Sequence, residues 1–211
     1  MKWPAMLSAV IKIQQRMPDM SPEAEKIELR KSLKKQRNAL SPEQAAYSSL
    51  QASRHILACD AYRKARCIMG FLAFGRELSV DKVLKQALAD GKQVAVPFIT
   101  SATEFVPALI HNLDDFALDR YGIRTVQQPI EQVAAEEIDL VLVPGVAFGR
   151  DGSRMGMGAG YYDRFLMSVP QAVTMGAAYD GLLQDTLPCD AHDVPMDYIV
   201  SESGILIPKP L

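Results

Sequence analysis

The sequence predicts an α/β protein with a mostly parallel sheet covered by helices on both faces. Two observations carry this reading. Short apolar runs alternate along the chain with segments of helical periodicity, the order that builds a parallel sheet from crossover connections. Asp139-Leu-Val-Leu-Val143 is continuous and rich in Val and Leu, as a strand buried on both faces must be. The length of 211 residues suits one compact domain, expected over 21–211, and is short for two.

The elements follow in order. Ser21-Pro22-Glu23 supplies an N-cap, a first-turn proline and a first-turn acid, so a basic helix should run to about Leu40, with Ile27, Leu29, Leu33 and Leu40 partly on one side. Ser41-Pro42-Glu43-Gln44 repeats the start signal and adds a capping box, giving a second helix to about Ala58. Cys67–Phe71 is a strand bounded by Gly70 and Gly75. Ser79 caps a helix carrying Val80, Val83, Leu84, Ala87 and Leu88, and Gly91 ends it. Val94–Val96 before Pro97 is the next strand, followed by Glu104–Ala108 and 139–143. Tyr161–Met167 should be helical. Val173–Ala178, Tyr198–Val200 and Ile205–Ile207 complete the strands.

Ahead of this, Leu7, Val10, Ile11 and Ile13 form a weak apolar stripe. Lys12, Gln14, Gln15 and Arg16 interrupt any signal-peptide core, and no small-residue cleavage site follows. Residues 1–20 are therefore expected to be a poorly ordered extension, or to precede a true start at Met17 or Met20.

Composition narrows the function. Net charge is −2, which disfavours a nucleic-acid partner. No apolar run approaches the roughly 18 residues of a membrane span. Cys59, Cys67 and Cys189 make neither a disulfide framework nor a Cys-x-x-Cys metal site, and a cytoplasmic, reducing location fits them. His55, His111 and His192 are isolated, so zinc is not expected.

Six of the 13 glycines fall between Gly145 and Gly160, where random scatter would put about one. Glycine permits positive φ and close approach of a ligand to the backbone. Successive exposed N–H groups and a helix N-terminus attract anions. Arg154 can offer a bidentate fork to phosphate. Asp163 cannot hold phosphate, but a carboxylate beside a phosphate site serves to hold Mg2+. No Gly-Lys-Ser/Thr follows, so this is not a P-loop. From the residues alone, a phosphate cradle and a turn-rich loop both remain open.

The segment Val143-Pro-Gly-Val-Ala-Phe148, followed by Gly152-x-Arg154-x-Gly156-x-Gly158-x-Gly160-Tyr-Tyr-Asp163, resembles the signature of the 5-formyltetrahydrofolate cyclo-ligases, also called methenyltetrahydrofolate synthetases. The likeness extends over about residues 24–202. Lys26-x-x-x-Arg30 resembles the family's first-helix phosphate-binding pair. Phe71-Leu72 and Glu77 resemble its folate-contacting positions. Gly91-Lys92 with Pro97 matches the stretch that follows, and Pro188, His192-Asp193 and Asp197 resemble its C-terminal acidic segment.

The resemblance implies a three-layer α/β/α fold similar to ribose-5-phosphate isomerase and CoA-transferase domains. It implies conversion of 5-formyltetrahydrofolate and ATP, with Mg2+, to 5,10-methenyltetrahydrofolate, ADP and phosphate, by a monomer. It implies nucleotide contacts from Lys26, Arg30, Arg154, Met155, Gly156, Met157, Gly158, Ala159, Gly160, Tyr161 and Tyr162. Folate contacts would come from Phe71, Leu72, Glu77, Met157 and Tyr161, metal ligation from Asp163 and Asp193, and catalysis from Lys26, Arg154 and Asp163.

Taken singly, these residues have plainer readings. Lys26 and Arg30 lie near Lys31, Lys34, Lys35 and Arg37, a solvated basic face. Tyr161 and Tyr162 could simply pack at a helix start, Glu77 could be a helix-start acid, and Asp193 a loop acid. A non-catalytic folate or nucleotide sensor on the same fold, or a sugar-phosphate isomerase or acyl-CoA transferase relative, is the alternative function. The chain departs from the commonest family pattern at Ala159, which is tolerable only at negative φ. It departs also at Gly149, where an acid is frequent, and at Gln128-Pro129, where Glu-Pro is common and a charge near the substrate is lost.

Overall fold

A computed structural model of the chain describes residues 21–114, 116–119, 122–190 and 193–209. The apolar stripe at Leu7–Ile13, the expectation for residues 1–20, and His192 lie outside the described residues.

The described residues begin with three helices, α1 (Pro22–Asn38), α2 (Pro42–Ala58) and α3 (Asp60–Lys64). Strand β1 (Cys67–Met69), helix α4 (Asp81–Ala89) and strands β2 (Gln93–Ile99) and β3 (Phe105–Ile110) follow. A short hairpin, β4 (Phe116–Leu118) and β5 (Arg124–Val126), precedes β6 (Leu140–Val143). Next come β7 (Ala147–Gly149), β8 (Arg154–Met155), α5 (Tyr161–Ser168), β9 (Val173–Ala177), β10 (Leu183–Gln184), β11 (Tyr198–Ser201) and β12 (Gly204–Leu206).

Seven strands form one sheet in the order β12-β11-β9-β6-β1-β2-β3. The inner five run parallel, and β3 and β12 are antiparallel edges. All four residues of β6 are buried, and they divide between two cores. Leu140 and Leu142 meet Ile56 of α2 and Val83 and Leu84 of α4 on one face. Val141 and Val143 meet Phe165 and Leu166 of α5 on the other. A strand wet on one side could not serve two cores, which is why β6 reads as a continuous apolar run. The arrangement is a three-layer α/β/α fold.

Both helix starts form as their sequences dictate. Ser21 accepts a hydrogen bond from Ala24 N at 3.3 Å. Ser41 and Gln44 close a reciprocal capping box. Three expectations are corrected. Ser79 stands one residue before the N-cap Val80, although its hydroxyl still accepts from Asp81 N at 3.2 Å. Strand β2 does not stop before Pro97. The Ala95 carbonyl accepts from Gly70 N, so this side of β2 faces β1. Pro97 presents the same side two residues on, where β1 has ended, so its missing N–H costs no ladder bond. Ile27 does not join the inward side of α1, being 51% exposed.

The stretch after β6 is not a free loop throughout. Strands β7 and β8 pair antiparallel, with β10 alongside β7. Helix α1 seats on this small sheet through Leu33, which packs with Val146, Ala147, Met155 and Leu187. This hairpin, like β4/β5, was invisible to periodicity because its strands are two or three residues long.

Candidate active site

A cleft of about 340 Å3 opens beyond the carboxyl end of β6, the side on which open α/β sheets take ligands. Its floor includes Pro144 and Gly145. Lys26 and Arg30 reach it from α1, Glu77 from the loop after β1, Ile99 and Phe105 from β2 and β3, and Asp190 and Asp193 from the segment before β11. The stretch Arg154–Asp163 forms one wall.

Most of the residues expected at a site therefore share one cleft. Lys26, Arg30, Glu77, Asp193 and every residue from 154 to 163 line it. Phe71 and Leu72 are placed differently. Phe71 is 4% exposed within the core on the α2 side and Leu72 packs against that core, so neither lines the cleft. Met155 contributes backbone, because its side chain is buried beside Leu33.

The charges are arranged in pairs. Lys26 Nζ is 2.7 Å from Asp190 Oδ2 and 3.5 Å from Asp193 Oδ2. Burial lowers the Lys26 pKa, but the hydrogen bond with Asp190 and the charges of both carboxylates outweigh it and leave a net upward shift. Arg154 donates through Nη2 to Asp163 Oδ1 and through Nη1 to Pro144 O. Its guanidinium carbon lies 5.8 Å from the centre of the Tyr162 ring. Arg154 Nε and the Tyr162 hydroxyl are buried without a hydrogen-bond partner. Burial, with Glu77 adding to it and Arg154 opposing, pushes the Tyr162 phenol far above its usual range, so it stays neutral.

Arg30 Nε donates to Gly156 O at 3.0 Å and ties α1 to the glycine-rich wall. Gly156 leaves room for the Arg154 guanidinium. A Cβ there would lie 2.8 Å from Arg154 Nη1, so a side chain would push the guanidinium away. Gly160 takes φ of 68° to start α5. No non-glycine residue among those described has positive φ, so Ala159 meets the condition its methyl imposes. Phe105 packs on Tyr161, Tyr162 and Phe165 with ring centres 6.3, 5.1 and 4.8 Å apart. Tyr161 also donates to Ser101 O at 3.0 Å, and Arg164 Nε to Thr103 O at 2.8 Å. Helix α5 is thus bolted to the loop between β2 and β3.

The set fits a magnesium polyphosphate. Lys26, Arg30 and Arg154 match phosphate oxygens, and the buried Arg154 Nε is a donor awaiting an acceptor. Asp163 and Asp193 can serve a cation that takes one or two carboxylates and completes its shell with phosphate and water, as Mg2+ does. Among the described residues no group of three or more His, Cys, Asp or Glu is placed to hold a metal alone.

The departures now have places. A Cβ on Gly149 would lie 2.3 Å from Asp151 Oδ1 and 2.1 Å from Ser153 Oγ, so the Asp151 carboxylate fills the room a side chain at 149 would need. Asp151 accepts from Ser153 Oγ at 2.5 Å and from Thr186 Oγ1 at 2.6 Å. Burial raises its pKa, but these hydrogen bonds outweigh it and the net shift is downward. Gln128 is exposed and does not line the cleft; its neighbours Gln127 and Pro129 border a separate, shallower depression.

Residue-by-residue reading missed Arg37 and Asp190. Arg37 was grouped with the solvated lysines, yet it is 4% exposed and bonds Glu77 and Gly145. Its spacing was the available signal: Lys26, Arg30, Leu33 and Arg37 recur at helical period, so they share one face. Asp190 carries no local signal at all.

Comparison with known proteins agrees with this geometry. Residues 22–202 match the model of the 5-formyltetrahydrofolate cyclo-ligase family. The 5-formyltetrahydrofolate cyclo-ligase of Mus musculus is 28% identical, over 83% of this chain and 93% of its own. The structure of Aquifex aeolicus 5,10-methenyltetrahydrofolate synthetase superposes with a TM-score of 0.76 at 28% identity, covering 86% of this chain and 92% of the other. That of the Mycoplasma pneumoniae 5,10-methenyltetrahydrofolate synthetase gives 0.68 at 25%, covering 84% and 98%. With the signature, the three-layer fold and a family match over most of its length, the chain belongs to the 5-formyltetrahydrofolate cyclo-ligase family.

Proposed function

We propose that the protein converts 5-formyltetrahydrofolate and ATP to 5,10-methenyltetrahydrofolate, ADP and phosphate. The observation that carries this is convergence: Lys26 and Arg30 arrive from the first helix and meet Arg154, Asp163 and Asp193 across one cleft. A formamide oxygen leaves poorly until it is phosphorylated; N10 can then close the ring as phosphate departs.

Lys26, Arg30 and Arg154 hold the triphosphate and neutralise the charge that develops during transfer. Positioning and electrostatics carry most of the work in phosphoryl transfer. Lys26 and Arg154 are already held in place by carboxylates, so little reorganisation is needed when phosphate oxygens replace those partners. Asp163 and Asp193 would hold Mg2+, which supplies charge neutralisation on the phosphates when bound. Met157, 56% exposed, Tyr161 and Ile99 offer apolar surface for the folate rings, and Glu77 an acceptor for an N–H. Phe71 and Leu72 support the loop that carries Glu77.

The test mixes pure protein with 5-formyltetrahydrofolate and MgATP and follows the near-ultraviolet absorbance of the methenyl product. Product should appear with ATP and not without it. Absence of product at high enzyme concentration sinks the proposal, and tight folate binding without turnover would favour the sensor.

A further inference from the structure

The buried stripe of α1 contains a third cation with no part in holding phosphate. Arg37 is 4% exposed, lies behind the cleft and does not line it. Its Nη1 is 3.4 Å from Glu77 Oε1 and 3.2 Å from Gly145 O. The other Glu77 oxygen accepts from Phe74 N at 3.1 Å. Glu77 and Gly145 both line the cleft. The Glu77 carboxylate is therefore gripped at both oxygens, once by a buried cation and once by backbone.

We propose that Arg37 is a positioning residue, which keeps Glu77 aimed as an acceptor for the folate, and which ties that carboxylate to the cleft floor through Gly145. This rests on the functional reading above. A carboxylate on a loop has rotamer freedom, and an acceptor contributes to binding only while its lone pairs face the donor. A guanidinium shielded from water fixes one oxygen through a charge-assisted hydrogen bond. Because Arg37 sits eleven residues along α1 from Lys26, one rigid helix orients groups on both sides of the cleft. Arg37 acts through Glu77, so its loss should be felt by the folate and not by the nucleotide.

The experiment compares the protein with Arg37→Lys, Arg37→Gln, Glu77→Gln and the double variant Arg37→Gln/Glu77→Gln. Folding is monitored by thermal melting, and 5-formyltetrahydrofolate binding is measured by calorimetry alongside steady-state kinetics. Arg37→Gln should weaken folate binding and raise its KM about tenfold, with KM for ATP within about twofold of the parent. Arg37→Lys should recover part of the loss. The double variant should be no worse than Glu77→Gln, because the two residues act as one unit. Glu77→Gln cuts the same contact from the cleft side, so the question survives if an Arg37 variant fails to fold. Unchanged folate binding in folded variants, additive losses, or an equal rise in KM for ATP would overturn the positioning role while leaving the cyclo-ligase reading intact. Folate binding without product would overturn only the catalytic reading. No folate binding by the parent protein overturns both.

Discussion

Helices α1 and α2 begin alike and end differently. Each opens on Ser-Pro-Glu and each runs 17 residues. Helix α2 turns Ala52 and Ile56, both fully buried, into the sheet core. Helix α1 turns Lys26, Arg30, Leu33 and Arg37 inward, and only Leu33 of these joins an apolar cluster. Start signals set where a helix begins, but the chemistry of its inward face sets what it is for. One helix holds the sheet together. The other brings cations to a cleft and is itself held by what they bond.

The sharpest way to break the comparison is at Lys26. Replacing it with Ala should lower turnover about 100-fold or more, the usual cost of losing a group that meets developing charge. Thermal stability should change less than turnover, since its nearer partner Asp190 is half exposed at 52%, while Asp193 lies 3.5 Å away. Asp163→Asn should lower turnover likewise, at a larger cost in thermal stability because its partner Arg154 is buried. Near-normal turnover in both variants removes the roles assigned to them.

Ile56→Ala tests the other helix. It should cost about 2–5 kcal/mol of unfolding free energy in denaturant titrations. The KM values of the folded fraction should not move. A selective change in KM for either substrate would mean that α2 also serves the site.

The smallest effects lie at the shared start signals. Ser41→Ala and Ser21→Ala should each cost about 1 kcal/mol, measured by denaturation. Each substitution removes one acceptor, for Gln44 N and for Ala24 N, while the bond from Ser41 N to Gln44 Oε1 uses the backbone and survives. No measurable loss in either variant would show that its cap contributes nothing.

Much of the layout was legible because the relevant physics is short-ranged. Capping residues act within one turn, and a strand such as Leu140–Val143 declares its double burial by composition. The pairing of Lys26 with Arg30 was readable from spacing. The same spacing extends to Arg37, but charge on a helix is ordinarily solvated and periodicity is scored on apolar residues, so its burial did not show. The β7/β8 hairpin escaped because two-residue strands carry no period. Ser79 was displaced by one residue because its hydroxyl reaches Asp81 N from just outside the helix.

What the amino-acid order determined unaided was the long helices and the central strands, the starts of α1 and α2, the parallel sheet and the signature that marks the family. What only the tertiary structure decided was the partnership of distant charges. Glu77 is 40 residues from Arg37, and Asp190 is 164 from Lys26. No propensity or spacing rule reaches that far. Such pairs form when the sheet brings loops to one edge, and there burial turns a basic helix face into the wall of a cleft.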